Sequence, residues 1–453
     1  MKKQPNFYQS IILRVLLVFA MIINLSNQNI SGQTLKDYAK VINLNFGSPT
    51  QGLTPQMQDS LSDNFNFTIP GNALKFNFVE PKQGKFDFRF ADSVVDFAKK
   101  HGMKVKGHCL IWHWSEPGWL WYYSVKGKPT REGMLKIMKT HIDNVVGHFK
   151  GKIDEWDVVN EAILDKPDWE GNCLKSTHWR TIIGPDFIDS AFVYAHRADP
   201  KAYLYLNDYS GEMNFSQEKV KADLIYEFVK GLVKRGIPIH GVGLESHINN
   251  VADEFGIYLN IKRYADLGIR VAMTETDIMH SSFSPTAWTA MLNAAVANYN
   301  FTTFVVWGMT DLYSWKGRNC DCLMWDVDFK RKPTVFKAVT KALQNADKKV
   351  AILRGRFQEI PADDRLPDAP DSLTANSDGK RIVLNWGAAA KALTYAIERS
   401  TTEDGPYKII DKDVIETSYK DKHVKKGTNY YYKVIASNPF AISQHSKTVI
   451  TGF

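Results

Sequence analysis

Trp156-Asp157-Val158-Val159-Asn160-Glu161 is the stretch on which the fold turns. A short apolar run, residues 155–160, ends abruptly in an amide and a carboxylate. Strands of a parallel sheet buried on both faces read this way: apolar along their length, with polar groups where they finish. The pattern returns in Val271-Ala272-Met273-Thr274-Glu275. Further strand-like runs lie at 41–46, 65–70, 104–112, 203–208, 241–246, 270–276 and 303–307. Amphipathic helical stretches at 92–101, 131–149, 187–197, 217–235 and 255–267 fall between several of them. Eight strands, each followed by a helix-sized segment, predict an α/β fold of the (β/α)8 TIM-barrel type over residues 33–345. A doubly wound sheet is the competing arrangement, but no glycine-rich phosphate loop follows any strand.

The flanks read differently. Lys2, Lys3 and Arg14 precede an apolar run over 15–25, and a polar stretch then ends at Gly32. This predicts a cleavable signal peptide over 1–32 and a secreted or periplasmic protein. The run is short of the roughly 20 residues a spanning helix needs, so no membrane association is expected after its removal. Removing three basic and no acidic residues takes the formal charge from +8 to 8 − 3 = +5. Without a Lys/Arg block, that charge does not predict nucleic-acid binding. Residues 346–368 are charged and carry Pro361 and Pro367, which suits a linker. Over 369–453, strand-like runs at 382–386, 394–399, 407–410 and 429–436 alternate with turn signals and predict a small all-β, immunoglobulin-like sandwich.

The 453 residues are 44% hydrophobic and 23% charged, which excludes a disordered or collagen-like chain. Four cysteines are too few for a disulfide framework. Cys320 and Cys322 look too close to pair comfortably with each other, and either could pair with Cys173. No His or Cys sits at ligand spacing beside them, so neither metal nor cofactor is expected.

In a barrel the strand C-termini carry the chemistry. Those ends supply Asn72 and Lys75; His108, Trp112 and His113; Asn160 and Glu161; Asn207 and Asp208; Glu245 and His247; Glu275 and Asp277; Trp307 and Asp311. Two carboxylates that both follow apolar strands, Glu161 and Glu275, are what glycoside cleavage needs. One protonates the leaving oxygen, and the other attacks the sugar or activates water.

Six ordered motifs carry a resemblance across the whole barrel. They are Gly107-His108-Cys109-Leu110-Ile111-Trp112-His113, Asp157-Val158-Val159-Asn160-Glu161-Ala162, Asn207-Asp208-Tyr209, Gly243-Leu244-Glu245-Ser246-His247, Thr274-Glu275-Thr276-Asp277-Ile278, and Trp307-Gly308-Met309-Thr310-Asp311 followed by Ser314-Trp315. In these the chain resembles glycoside hydrolase family 10, the β-1,4-xylanase family. The resemblance implies Glu161 as general acid/base, with a raised pKa, and Glu275 as nucleophile. Retention requires the two carboxyls roughly 5 to 5.5 Å apart. It implies Asn160 on the sugar 2-hydroxyl, and Asp277 orienting His247, which supports Glu275. It also implies substrate contacts from Asn72, Lys75, His108, Trp112, Glu245, Trp307 and Trp315. The expected partner is a polysaccharide, xylan or a related β-glycan, and the expected state is a monomer.

The departures from the family pattern bear on substrate choice. Gly71-Asn72 stands where a Glu-Asn pair is usual, and Phe76 where Trp is common. Trp112-His113-Trp114-Ser115 lacks the usual glutamine, and Glu245 replaces another. Gly71 and Ser115 predict an opened subsite for the second sugar on the non-reducing side, with Trp114 supplying new stacking. The alternatives are the same barrel acting on a decorated xylan or a β-glucan, or a non-catalytic glycan-binding protein. The tail resembles a fibronectin type III domain in Trp386, Tyr395, Ile397, Gly405-Pro406-Tyr407, Gly427-Thr428-Asn429-Tyr430 and Tyr432.

Overall fold

Eight parallel strands close on themselves. β1 (Asn45–Pro49), β2 (Phe67–Ile69), β3 (Lys104–Ile111), β4 (Glu155–Asn160), β5 (Tyr203–Asp208), β6 (Gly241–Leu244), β7 (Arg270–Ile278) and β8 (Phe301–Val306) pair in chain order, and β8 returns to β1. The computed structural model describes residues 33–213, 218–249, 251–283 and 285–453. The expected signal peptide, 1–32, lies outside these.

The sequence predicts the first strand over 41–46, and the structure moves it to Asn45–Pro49. Leu35–Val41 is instead a helix that buries Leu35 and Ala39. β1 escapes a hydrophobicity reading because it is wholly buried yet partly polar. Asn45 Nδ2 donates to Thr303 Oγ1 at 3.1 Å, and Thr68 Oγ1 donates to the Ser48 carbonyl at 2.9 Å. A buried polar side chain is tolerated only where such partners exist.

The outer helices follow ordinary rules. Arg131–His148 starts at Thr130, whose hydroxyl accepts from the Gly133 N–H at 3.0 Å. It buries Met134, Met138, Ile142 and Val145, spaced to fall on one face. Losing such a cap costs about 1 kcal/mol. No helix among the described residues is long and apolar enough to cross a membrane.

After the barrel, two antiparallel sheets face each other. β9 (Thr374–Ser377), β10 (Ile382–Asn385) and β13 (Ser418–Asp421) form one. β11 (Thr394–Ser400), β12 (Lys408–Val414), β14 (Asn429–Ser437), β15 (Ile442–His445) and β16 (Val449–Gly452) form the other. Alternate residues of β14 turn inward, and Tyr430, Tyr432 and Val434 meet Ile382, Leu384, Trp386 and Tyr395 in the core.

The stretch expected as a linker contains a helix, Lys348–Glu359. Its Arg354 is fully buried and donates to the carbonyls of Ile42, Val296, Asn298 and Phe301. The charge that suggested a solvated connection is thus used on main-chain oxygens. Beyond it Phe357 and Ile360 cluster with Leu393 and Phe440 of the β-domain. Tyr203 and Arg270, the first residues of β5 and β7, hydrogen-bond the carbonyls of Gln358 and Ile360. The β-domain therefore docks at the N-terminal end of the barrel, opposite the strand C-termini.

Candidate active site

Parallel pairing brings all eight strand C-termini to one face. At its centre lies Asn207, in register with Asn160 on β4 and Gly243 on β6. Its Nδ2 donates to Asn160 Oδ1 at 2.7 Å and to Glu275 Oε1 at 3.1 Å, with Glu245 Oε1 at 3.3 Å. Its own oxygen accepts from Thr274 Oγ1 at 2.6 Å. Position 243 must be glycine for this, since a Cβ there would stand 2.0 Å from Asn207 Oδ1. Sequence reading noted Asn207 at a strand end but not its central place. The Asn207-Asp208-Tyr209 motif was the available signal.

Ser246, at φ +67°, turns the chain after β6 so that His247–Ile248 can pair with Asp277–Ile278 of β7. His247 Nδ1 bonds Asp277 Oδ2 at 2.9 Å. His247 Nε2 faces Glu245 Oε2 at 3.6 Å and Glu275 Oε2 at 3.7 Å. Burial alone would discharge this imidazole. The hydrogen bonds to Asp277, Glu245 and Glu275 overcome it and push its pKa up to about 12. Burial pushes Glu245 well above the usual carboxyl range, and the adjacent Glu275 adds to the effect. Asp277, wholly buried, also accepts the Trp315 indole N–H at 2.7 Å and pairs with Lys316 at 3.3 Å.

Across the cleft, Glu161 sits at φ +52° just past β4. Its N–H donates to the Asn207 carbonyl at 2.8 Å, and Asn160 Nδ2 lies 3.5 Å from its Oε1. Burial raises its pKa. Lys175, 3.8 Å from Oε2, opposes that, while Asp208 and Glu275 reinforce it. On β3, His108 Nδ1 bonds Asp157 Oδ2 at 3.0 Å, and Asp157 is held by Lys106 at 2.9 Å. His108 Nε2 thereby points at Glu275, 3.8 Å away. Lys175, Lys106 and Lys316 were not singled out from sequence, because a lone lysine in a loop or strand carries no local signature.

These groups line one cleft of two joined cavities. The first, about 540 Å³, holds Asn160, Glu161, Glu245, His247 and Glu275, walled by His108, Trp112 and Trp114. Lys75, Trp307 and Trp315 form the border with the second, about 730 Å³, which is lined by Gly71, Asn72, Phe78 and Arg89. Of the residues expected to act on substrate, all line the cleft except Asp277, which stands behind His247, while of the other strand-end groups His113, Asn207, Asp208 and Asp311 line neither cavity. The Lys75 ammonium lies 4.7 Å from the Trp112 ring centre. Trp114 is 74% exposed, available to a ligand face.

Two expectations about the departures change. Ser115 is buried, hydrogen-bonds the Trp112 carbonyl at 3.3 Å, and lines neither cavity. Gly71 does border the cleft, but at φ +47°, where a Cβ would stand 2.4 Å from the Thr50 carbonyl oxygen. Its contribution is therefore a backbone conformation that only glycine adopts readily, not a removed side chain.

Cys320 and Cys322, expected not to pair, are bonded to each other with Cα atoms 5.2 Å apart, and Cys173 is free. Asp321, at φ +48°, folds the chain back between them and brings that separation into the usual range. Glu245, His247 and Glu275 present oxygen and nitrogen atoms within 4.8 Å of one another, a spacing a cation could bridge. The protonated imidazole already supplies positive charge there.

Residues 34–342 match the Glycosyl hydrolase family 10 model. The chain is 36% identical over 294 residues to endo-1,4-beta-xylanase A of Thermoanaerobacterium saccharolyticum, covering 61% of this chain and 24% of that protein. It is 40% identical over 222 residues to the beta-1,4-xylanase of Dictyoglomus thermophilum, covering 49% of this chain and 59% of that one. It thus spans less than two thirds of either relative's length. The crystal structure of xylanase 10B from Thermotoga petrophila in complex with xylobiose superposes with a TM-score of 0.63 at 29% identity, over 71% of this chain and 99% of that one. With the closed barrel, the carboxylates facing each other across its rim and a family match over most of its length, the chain belongs to glycosyl hydrolase family 10.

Proposed function

We propose that this protein is a retaining endo-β-1,4-xylanase, with Glu161 as acid/base and Glu275 as nucleophile. The observation that carries the reading is the hydrogen-bonded path from Asn160, beside Glu161, through Asn207 to Glu275. It fixes two carboxyls in different electrostatic settings. Glu161 is burial-raised and suited to hold a proton, while Glu275 faces an imidazolium and an amide N–H. In the first step Glu161 gives its proton to the glycosidic oxygen as Glu275 bonds the anomeric carbon and the leaving sugar departs. In the second, Glu161 takes a proton from water, the water oxygen bonds that carbon, and Glu275 leaves as carboxylate. Asn160 binds the 2-hydroxyl, where a contact strengthens as positive charge develops on the ring.

The larger cavity, bordered by Gly71, Asn72 and Lys75, receives the non-reducing side of the chain and accommodates a substituted sugar there. The (β/α)8 domain acts alone at the cleft. The C-terminal sandwich, which we read as fibronectin type III-like, serves as a stabilising module, consistent with its docking at the opposite barrel end. Secretion rests on the sequence of residues 1–32.

The test is a product profile on plain β-1,4-xylan and on glucuronoxylan, with Glu275→Ala as control. Short xylooligosaccharides from either polymer, abolished by the substitution, support the reading. Silence on both polymers, with β-glucan cleaved or bound instead, overturns it.

A further inference from the structure

The chain leaving Glu161 does not run straight into a helix. It makes a hairpin in which Leu164 N–H donates to the Cys173 carbonyl and Lys175 N–H to the Ala162 carbonyl, both at 2.8 Å. That register returns Lys175 to the level of the residue after Glu161. Its Nζ stops 3.8 Å from Glu161 Oε2 and 4.6 Å from the centre of the Tyr209 ring. Among the described residues it has no other carboxylate within 4.0 Å. The neighbouring Lys221 is committed elsewhere, to Asp208 at 2.8 Å and Asp165 at 3.1 Å. The other ionisable groups acting on Glu161 are acidic, Asp208 from β5 and Glu275 from β7, and Glu245 from β6, raised toward its neutral form, supplies no positive charge either. Lys175 is therefore the cation positioned to answer a negative charge on Glu161.

We infer that Lys175 is a positioning residue for proton transfer at Glu161: its ammonium stabilises the carboxylate that Glu161 becomes on each turnover. This rests on the acid/base reading of Glu161. When the C–O bond breaks, the Glu161 proton moves to the leaving oxygen, and a carboxylate is left among three other acidic groups. Without a counter-charge that anion is strongly disfavoured, and the acid gives up its proton reluctantly. Burial lowers the Lys175 pKa while Asp208 and Glu161 hold it up, and in this cycle the ammonium exchanges no proton. When water later returns a proton to Glu161, the pair resets. The hairpin makes this geometry rigid, because Lys175 is tied through its own backbone to the residue beside the acid.

The experiment compares wild type, Lys175→Met, Lys175→Arg and Glu161→Ala on two aryl β-xylobiosides, one with a poor leaving group (phenyl) and one with an activated group (2,4-dinitrophenyl). In Lys175→Met the alkaline limb of kcat/KM for the phenyl substrate should move up by about one pH unit, since an opposite charge at this range lowers a carboxyl by one unit or more. The phenyl rate should fall by up to about tenfold, the rate equivalent of that shift, and the dinitrophenyl rate much less. Lys175→Arg should restore both. An unmoved limb with equal losses on the two substrates assigns Lys175 a merely structural role and overturns the inference. Glu161→Ala separates this from failure of the underlying reading. If that variant retains phenyl-xylobioside turnover, Glu161 is not the acid, and both claims fall together.

Discussion

Asn207 donates to Asn160 at 2.7 Å while also donating to Glu275 at 3.1 Å, so one amide sets the position of groups on both sides of the cleft. Its own orientation is fixed by Thr274, which donates to the Asn207 oxygen and leaves the NH2 to face both partners. Asn207→Ala should cut kcat by about 10², the scale seen when a single preorganised donor is lost from an active site. Gly243→Ala should approach that loss without touching a reacting group, because the new Cβ displaces Asn207. Steady-state kinetics with circular dichroism as a folding control checks both. Full activity in Gly243→Ala would show that the central amide is dispensable.

Glu245 and Glu275 converge on the same imidazole nitrogen of His247. Two carboxyls so placed cannot both ionise freely, and burial with the Glu275 charge holds Glu245 protonated. Glu245→Gln removes the group that carries this proton beside the nucleophile, and the acid limb of kcat/KM should change. The stability sign is also fixed. A folded-state pKa above the unfolded value means the folded protein binds the extra proton, so stability is lost as pH rises above the ordinary Glu range. Glu245→Gln should therefore gain stability over wild type at pH 7 relative to pH 4. Urea unfolding at the two pH values measures this, and equal differences at both would remove the argument.

How much of this was legible before the structure varies by residue. Glu161, His247, Glu275 and Asp277 were readable because each terminates or follows an apolar strand and the barrel sends all such ends to one face. β1 was misplaced, since it carries a buried asparagine that hydrogen-bonds Thr303 inside the barrel, and a buried serine, instead of an apolar run. Ser115 reads as opening the second non-reducing-side subsite because position in a motif says nothing about which way a residue faces in a one-turn helix. Lys175 was invisible for another reason: its place beside Glu161 is made by a hairpin register that spans a dozen residues.

Trp315 is 61% exposed, yet its indole N–H is spent on Asp277 and its ring stands edge-on to His247, centroids 4.8 Å apart. It is both a wall of the cleft and a clamp on the His247–Asp277 pair. Trp315→Phe keeps a ring for the sugar but removes the donor. The expected result is a fall in kcat of about tenfold with KM changed less, the loss of one hydrogen bond to a charged group. A pure KM effect would make Trp315 a sugar platform only.

Arg354 tests whether the helix after the barrel is a spacer or a structural part of it. Its guanidinium is buried with no carboxylate beside it among the described residues, and it binds four carbonyls from three separate segments: the Ile42 turn, the 296–298 helix end and β8. Arg354→Met leaves those oxygens without donors in a dry environment, at a cost of about 3 kcal/mol. In a chain this long that lowers Tm by several degrees. Because the contacts lie at the N-terminal end of the strands, kcat measured well below Tm should stay within twofold of wild type. Calorimetry and kinetics on the same preparation decide the matter. An unchanged Tm would mean the helix merely rests against the barrel, and a large loss of kcat would mean the two barrel ends are coupled.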